Sequence, residues 1–195
     1  MAGVRQFDEG EALEKALALF WQKGYAHTTM QDLAEATGVQ RGSLYNAYRD
    51  KETLFLRVFG VYRDRYVAQM REALDKPTLR EALGSFFRFV ITSIRTGVPT
   101  RGCLSTKTAV GMEELDETIR KAIKDLLDEI EAALYDRLSR PGDADQLAVP
   151  PREAARLIVT LTRGLVVVER VYGDEKRMRA TAELAIGLLL ALQAR

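Results

Sequence analysis

Donor-rich side chains are concentrated in one short predicted helix, from about Gln40 to Tyr48. Within it, Leu44 and Tyr48 are spaced to face inward, which leaves the other residues facing outward. The outward residues are Gln40, Arg41, Gly42, Ser43, Tyr45 and Asn46. Amide, guanidinium and hydroxyl groups of this kind bond phosphate oxygens and base edges, and a glycine among them lets a backbone approach closely. The helix therefore has the chemistry of a nucleic-acid-binding surface.

The residues before this helix predict a second short helix that ends in a tight turn. Thr29 is a suitable N-cap, and Asp32 at the third helical position gives a weak variant of the capping box. Gly38 can take the left-handed conformation that ends such a helix. Asp50 then caps a long helix that Lys51 opens. Because helix pairs joined by a glycine turn are common, spacing alone leaves both DNA binding and a purely structural pair open.

Residues 24–55 resemble the DNA-binding domain of the TetR/AcrR family of bacterial transcription regulators. The matching residues are Gly24-Tyr25, Thr28, Asp32 to Ala34, Gly38-Val39, Arg41 to Tyr45, Lys51-Glu52 and Leu54-Phe55. The resemblance implies phosphate contacts by Thr28, Gln40, Ser43, Tyr45 and Lys51. It implies base-facing positions for Arg41, Gly42 and Asn46. Arg41 is the candidate for a guanine contact, because a guanidinium can bond O6 and N7 together. Ala47 departs from the family, which often has an aromatic residue there.

Composition describes a globular chain of 195 residues, large enough for one compact unit or two small ones. No apolar run reaches membrane-spanning length and the N-terminus lacks a signal pattern, so we expect a cytoplasmic protein. The single Cys103 excludes an internal disulfide. The net charge of +1 does not by itself indicate nucleic acid. Residues 37–65, however, carry six basic and three acidic side chains (6 − 3 = +3), whereas residues 113–131 carry three and eight (3 − 8 = −5).

The remaining segments predict helices only, so the expected fold class is all-α. We expect a three-helix helix-turn-helix domain over residues 1–50 and a helical ligand-binding and dimerisation domain over residues 51–195. The predicted helices outside the helix-turn-helix pair run from Asp8 to Gly24, Lys51 to Leu74, Thr78 to Gly97, Arg101 to Val110, from after a break at Gly111 to about Ser139, Arg152 to Tyr172 and Asp174 to Ala194. Residues 141–151 predict a loop because proline and glycine mark its ends.

Part of the second half resembles one subgroup of the same family. The matching residues are Arg101 to Leu104, Thr108 to Val110, Arg163 to Leu165 and Ala185 to Leu192. The resemblance implies a cavity for an unidentified small-molecule effector, and dimerisation through the last two helices, at about 152–194. Candidate ligand-binding residues are Tyr62, Tyr66, Phe86, Phe89, Cys103, Lys107 and Arg163. For each of them, core packing or a salt bridge is the alternative.

Cys103 raises a second possibility. It lies four residues before Lys107 and near the predicted start of a helix, and both a nearby ammonium and the helix dipole favour a thiolate. Some relatives with this cysteine sense oxidants or electrophiles, whereas the simpler alternative is a small buried apolar residue. A cysteine-dependent enzyme would need a general base, and the only histidine, His27, lies in the helix-turn-helix domain. We therefore expect no enzyme, no metal site and no cofactor.

The resemblance implies a ligand-responsive repressor that binds a palindromic double-stranded DNA operator as a homodimer. The helix predicted from about Gln40 to Tyr48 would be the recognition helix. The two recognition helices of the dimer would enter successive major grooves, about 34–36 Å apart. A ligand would favour a conformation in which the long helix shifts and this spacing no longer fits. A purely structural helical dimer would leave Gln40, Arg41 and Ser43 unexplained. The sequence leaves the operator, the effector and the sign of regulation open.

Overall fold

The chain is helical in the computed structural model, which describes residues 7–97, 100–112, 114 and 116–190. These residues form nine α-helices and a 3-10 turn at Ala144–Gln146. The helices are α1 (Glu9–Lys23), α2 (Met30–Thr37), α3 (Arg41–Tyr48), α4 (Lys51–Leu74), α5 (Leu79–Arg95), α6 (Leu104–Val110), α7 (Glu117–Leu138), α8 (Pro151–Tyr172) and α9 (Glu175–Leu189). β-pairing in the same ranges is limited to an isolated bridge between Leu147 and Leu190. The predicted all-α class is confirmed.

Three helix ends differ clearly from their predictions. Helix α7 begins at Glu117 instead of directly after Gly111, because Asp116 caps its start by accepting from the Thr118 amide at 2.9 Å. Helix α6 begins at Leu104 instead of Arg101, because the Arg101 and Gly102 amides donate to the carbonyls of Thr96 and Ile94. Cys103 therefore precedes the helix. Helix α9 ends at Leu189 instead of Ala194, since Leu190 is extended. The predicted residues 191–194 lie outside the described ranges.

The chain divides into two compact units. The first unit contains Met1–Arg65 and Leu104–Ile123, and the second contains Tyr66–Cys103 and Lys124–Arg195. Helix α4 therefore contributes residues 51–65 to the first unit and residues 66–74 to the second. A functional boundary between residues 50 and 51 stays a prediction.

The core of the first unit is an aromatic cluster that supports the helix-turn-helix pair. The Phe55 ring lies edge-on to Phe20 at a centroid distance of 5.1 Å and contacts Tyr25 at 4.9 Å. Leu33 from α2 and Leu44 from α3 are both fully buried. Because one face of each short helix is anchored in this way, the opposite face is left for solvent.

The second unit is built around α5, which packs against α8 and α9. Its buried face includes Phe86, Phe87 and Ile91, each 1% exposed or less. A capping box forms its start, since the Glu81 amide donates to Thr78 Oγ1 and the Thr78 amide donates back to Glu81 Oε2. No helix among the described residues is long and apolar enough to cross a membrane.

Candidate nucleic-acid interface and effector region

The start and end of α2 are fixed by the residues that the sequence indicated. The Asp32 amide donates to Thr29 Oγ1 at 3.1 Å, and the Thr29 amide donates to Asp32 Oδ2 at 2.9 Å. Gly38 has a φ of 71° and its amide donates to the Ala34 carbonyl. Lys23 adds an ammonium 2.6 Å from Asp32 Oδ1, and this hydrogen bond, with those from Thr29, lowers the pKa of Asp32 to about 2. The capping box and the left-handed glycine are both confirmed.

Helix α3 presents the predicted polar face. Leu44 is fully buried and Tyr48 is 3% exposed, so both predicted inward residues are confirmed. The exposed residues of the predicted set are Gln40, Arg41, Gly42, Tyr45 and Asn46, whereas Ser43 is half-buried. The Arg41 guanidinium lies 5.4 Å from the centroid of the Tyr45 ring, and Nη2 donates to the Tyr45 hydroxyl at 3.4 Å. Arg41 and Tyr45 thus form one exposed donor cluster.

Thr28 and Lys51 hold the loop between α1 and α2 in place. Thr28 is 1% exposed, and its hydroxyl donates to the Gly24 carbonyl at 2.6 Å. Lys51 Nζ donates to the Tyr25 carbonyl at 3.0 Å and lies 4.3 Å from the centroid of the Tyr25 ring. Burial lowers the pKa of Lys51. Phosphate contacts by these two residues stay a prediction, and both side chains already have partners within the first unit.

The turn that joins α3 to α4 has a conformation that the sequence did not indicate. Arg49 has a φ of 67° and a ψ of −50°, and its amide donates to the Tyr45 carbonyl. The Asp50 amide donates to the Tyr48 carbonyl at 2.7 Å, and the Asp50 carboxylate accepts from the Thr53 amide at 2.7 Å. Asp50 thus caps α4 as predicted. Arginine gives no sequence signal for positive φ, which is why the turn went unpredicted.

Two candidate ligand-binding residues, Tyr62 and Lys107, belong to the first unit. The Tyr62 ring lies edge-on to Trp21 at 5.3 Å. Lys107 Nζ donates to the carbonyls of Trp21 at 2.6 Å and Gln22 at 2.8 Å, in the last turn of α1. Because the last carbonyls of a helix lie beyond its own ladder of hydrogen bonds, the ammonium acts as a C-terminal cap. The sequence had indicated Cys103 as the neighbour of this ammonium.

The other candidate ligand-binding residues lie in the second unit, which brings four of them together. The Tyr66 and Phe89 rings are 5.0 Å apart, and Arg163 Nη1 donates to Cys103 Sγ at 3.2 Å. Burial raises the pKa of Tyr66 to about 12, against the opposing effects of the Arg163 charge and of a hydrogen bond from Arg163. Phe86 is fully buried and packs edge-on against Phe87, as an ordinary core residue does.

The second unit has two further features. A buried carboxylate, Glu169, accepts from Thr100 Oγ1 at 3.0 Å and pairs with Arg95 at 3.6 Å. A solvent-open cleft of about 620 Å³ lies where α4 ends beside α7. Its lining residues are Arg71, Glu72, Leu74, Asp75, Ala133, Asp136, Arg137 and Arg140. None of the predicted ligand-binding residues lines this cleft.

The last two helices expose large apolar side chains. In α8, Leu157 is 55% exposed and Val171 is 70% exposed, and in α9 Leu184 and Leu188 are 64% and 69% exposed. Leu184 and Leu188 are four residues apart, so they share one face of α9. Clustered exposed apolar groups of this kind mark contact surfaces in water-exposed proteins.

The chain matches two family models. The model described as "Bacterial regulatory proteins, tetR family" matches residues 12–58, and the model described as "Transcriptional regulator LmrA/YxaF-like, C-terminal domain" matches residues 80–184. The first match covers α2 and α3 together with most of α1. The second begins in α5 and ends within α9.

Individual relatives agree with these matches. The chain is 25% identical over 193 residues to the uncharacterized HTH-type transcriptional regulator YezE of Bacillus subtilis, covering 97% of this chain and 100% of the relative. It is 36% identical over 99 residues to the HTH-type transcriptional repressor ComR of Escherichia coli, covering 50% of this chain and 47% of the relative. A similar solved structure is a cysteine mutant of the TetR family transcriptional regulator CifR complexed with 26-bp operator DNA. Its TM-score is 0.85 at 28% identity, covering 96% of this chain and 100% of that one.

Proposed function

Because the chain belongs to the TetR family of bacterial regulatory proteins, we propose that it is a transcriptional repressor that binds a palindromic operator as a homodimer and responds to a small-molecule effector. The observation that carries this proposal is the exposed donor face of α3, held outward by the buried Leu44 and Tyr48. The operator complex of CifR supports it, because that relative covers nearly the whole chain. We also propose that the protein acts in the cytoplasm and without catalysis, since both matched models describe regulators.

Gly42 supports the DNA-binding part of the proposal. It lies in the first turn of α3, and no heavy atom lies within 4 Å of the position that a Cβ would occupy. Its φ is not in the left-handed region either. The fold therefore has no need of glycine there, and alanine would favour the helix. A bare backbone at an exposed helix start suits the close approach of a DNA strand.

In this proposal α3 enters the major groove. Arg41 and Asn46 face base edges, and the Arg41 guanidinium bonds a guanine through O6 and N7. Gln40, Ser43 and Tyr45 bond phosphates on either side of the groove. The two reading helices of a dimer would lie about 34–36 Å apart, so half-sites one helical turn apart match them.

The effector part of the proposal rests on four neighbouring residues of the second unit, Tyr66, Phe89, Cys103 and Arg163. Tyr66 and Phe89 offer an apolar wall, and Arg163 offers a cation beside the Cys103 thiol. A group of side chains with this composition suits a small, partly apolar molecule with an acceptor group. Helix α4 runs without a break from Lys51, beside the helix-turn-helix, to Leu74 in the second unit. A ligand that prefers one position of α4 would change operator affinity through a coupling of about 1–3 kcal/mol.

Binding to DNA from upstream of the protein's own gene tests the proposal. We expect tight binding with a steep salt dependence, and unrelated DNA should bind far more weakly. Arg41→Ala should lower the affinity about tenfold or more and reduce the preference for the operator. Arg80→Ala is the matched control, because it removes an exposed arginine of the second unit. Equal affinity for all DNA sequences would exclude a specific regulator.

A second candidate function is redox or electrophile sensing by Cys103. The observation in its favour is the Arg163 guanidinium at 3.2 Å, since a cation stabilises the thiolate, the reactive form of cysteine. Cys103 is 7% exposed, so a reagent would have to enter the second unit to reach it. Wild-type protein and Cys103→Ser should be treated with a quinone or hypochlorite while bound to operator DNA. If both release DNA equally, Cys103 is not the sensor.

A further inference from the structure

The turn between α3 and α4 is strained at Arg49. Its φ of 67° and ψ of −50°, with the bond from the Asp50 amide to the Tyr48 carbonyl, define a γ-turn of the positive-φ type. This type is rare and strained because the Cβ crowds the backbone. Among the described residues other than glycine, Arg49 alone has a positive φ. A glycine would adopt the same turn without that cost, so the arginine is costly for folding.

The Arg49 side chain contributes little to the stability of the fold. The residue is exposed, and its guanidinium has no hydrogen bond or ion pair within the part of the chain that the structure describes. Its electrostatic neighbour is the Asp50 carboxylate, whose pKa is lowered mainly by the hydrogen bond from the Thr53 amide and slightly by Arg49. A strained residue without internal partners points to a role outside the fold.

The neighbouring cation, Lys51, is already bound to other groups of the first unit. Lys51 Nζ is bonded to the Tyr25 carbonyl and stacked on the Tyr25 ring. Arg49 is therefore the exposed cation at the junction of the two helices, directly after the polar face of α3. It also offsets the Asp50 carboxylate, which would otherwise repel a phosphate at this edge.

We propose that Arg49 binds a DNA phosphate at the edge of the groove that α3 enters, and that the strained turn holds its guanidinium in that position. The inference rests on the proposed DNA-binding function and adds a contact to it. A phosphate is the fitting partner, because a guanidinium bonds its oxygens in pairs. In a helix-turn-helix, moreover, base contacts come from residues within the recognition helix, mainly near its start, whereas Arg49 follows the end of α3.

Salt titrations of operator binding by the full chain test this contact. The variants are Arg49→Gln, which keeps the backbone strain but removes the charge, and Arg49→Gly, which removes both. Each should weaken binding about tenfold and reduce the slope of log K against log salt by about 1.8, because a dimer loses one phosphate contact of about 0.9 in each protomer. Operator and unrelated DNA should be weakened alike, because phosphates carry no sequence information. Arg80→Gln controls for the loss of an exposed cation and should leave the slope unchanged.

Thermal unfolding of the same variants separates binding from folding. Arg49→Gly should raise the unfolding midpoint while it weakens DNA binding, and Arg49→Gln should leave the midpoint unchanged. An unchanged slope in Arg49→Gln, or tighter binding by Arg49→Gly, would overturn the proposed contact while leaving the DNA-binding function intact. Failure of the wild-type chain to bind any DNA would instead overturn the proposed function, and this contact with it.

Discussion

Arg137 joins three segments of the second unit, and its removal is the most informative stability test. The residue is 3% exposed. Its Nε donates to the Leu74 carbonyl at 3.2 Å and Nη2 donates to the Lys76 carbonyl at 3.2 Å. Nη1 forms an ion pair with Asp143, which is 8% exposed. A single α7 side chain thus holds the end of α4 and the loop before α8.

Arg137→Ala should destabilise the protein by about 3–5 kcal/mol. Two carbonyls lose a charged donor, and the Asp143 carboxylate is left buried without its partner, which is the costly part. For a chain of this size each kcal/mol corresponds to about 2–4 °C, so the unfolding midpoint should fall by about 6–20 °C. Asp143→Asn keeps the side-chain shape and an acceptor oxygen, so its cost should be about 1–3 kcal/mol.

Urea unfolding at one fixed protomer concentration is the assay, because dimerisation makes apparent stability depend on concentration. Lys124→Ala is the matched control. It breaks an ion pair with Asp128 in the same helix, where the two side chains are 68% and 59% exposed. A surface pair of this kind contributes about 0.3–0.5 kcal/mol. If Arg137→Ala cost no more than Lys124→Ala, the interpretation of Arg137 as the residue that holds α4 would be wrong.

Three further predictions concern the helix-turn-helix and the dimer. Gly38→Ala should destabilise the protein by about 1–2 kcal/mol, because the φ of Gly38 is 71°, although no atom crowds the position of a Cβ. Gly42→Ala should be neutral or stabilising, and thermal unfolding of the two variants checks this difference. The pKa of Asp32 is lowered from 3.8 to about 2, so the ionised carboxylate stabilises the folded protein fully above about pH 4, and this contribution is lost as the pH falls through 2. The difference in unfolding free energy between wild type and Asp32→Asn should therefore narrow as the pH falls from about 4 to about 2, which acid titration of stability measures. Leu188→Arg should shift the protein from dimer to monomer in sedimentation, whereas Val110→Arg, at a 77% exposed position of α6, should not.

The helix-turn-helix could be predicted closely because its signals are local. The Thr29 cap, the left-handed Gly38 and the inward Leu44 each depend on residues a few positions away, and the structure has all three as expected. Local sequence signals do not predict a side-chain contact when the partner lies far away in the sequence. Lys107 donates to carbonyls of α1 more than eighty residues earlier in the chain, and no spacing rule indicates that pairing.

The effector region was less predictable for the same reason. The sequence indicated an ammonium beside Cys103, whereas the structure has the Arg163 guanidinium there, sixty residues further along the chain. The start of α6 was also misplaced, because bonds back to Ile94 and Thr96 keep residues 101–102 out of the helix. The backbone propensity of arginine does not predict the strained turn at Arg49, because the turn results from the way in which α3 and α4 are joined.

Methylation interference on the bound DNA tests the central claim most directly, because guanine N7 lies in the major groove and adenine N3 lies in the minor groove. If α3 reads the major groove, N7 methylation should block binding at guanines in two symmetric half-sites whose centres are about one helical turn, or a multiple of it, apart. Arg41→Ala should lose sensitivity at one guanine in each half-site. Interference by adenine N3 methylation alone, or the same pattern in wild type and Arg41→Ala, would contradict the assignment of α3 and Arg41.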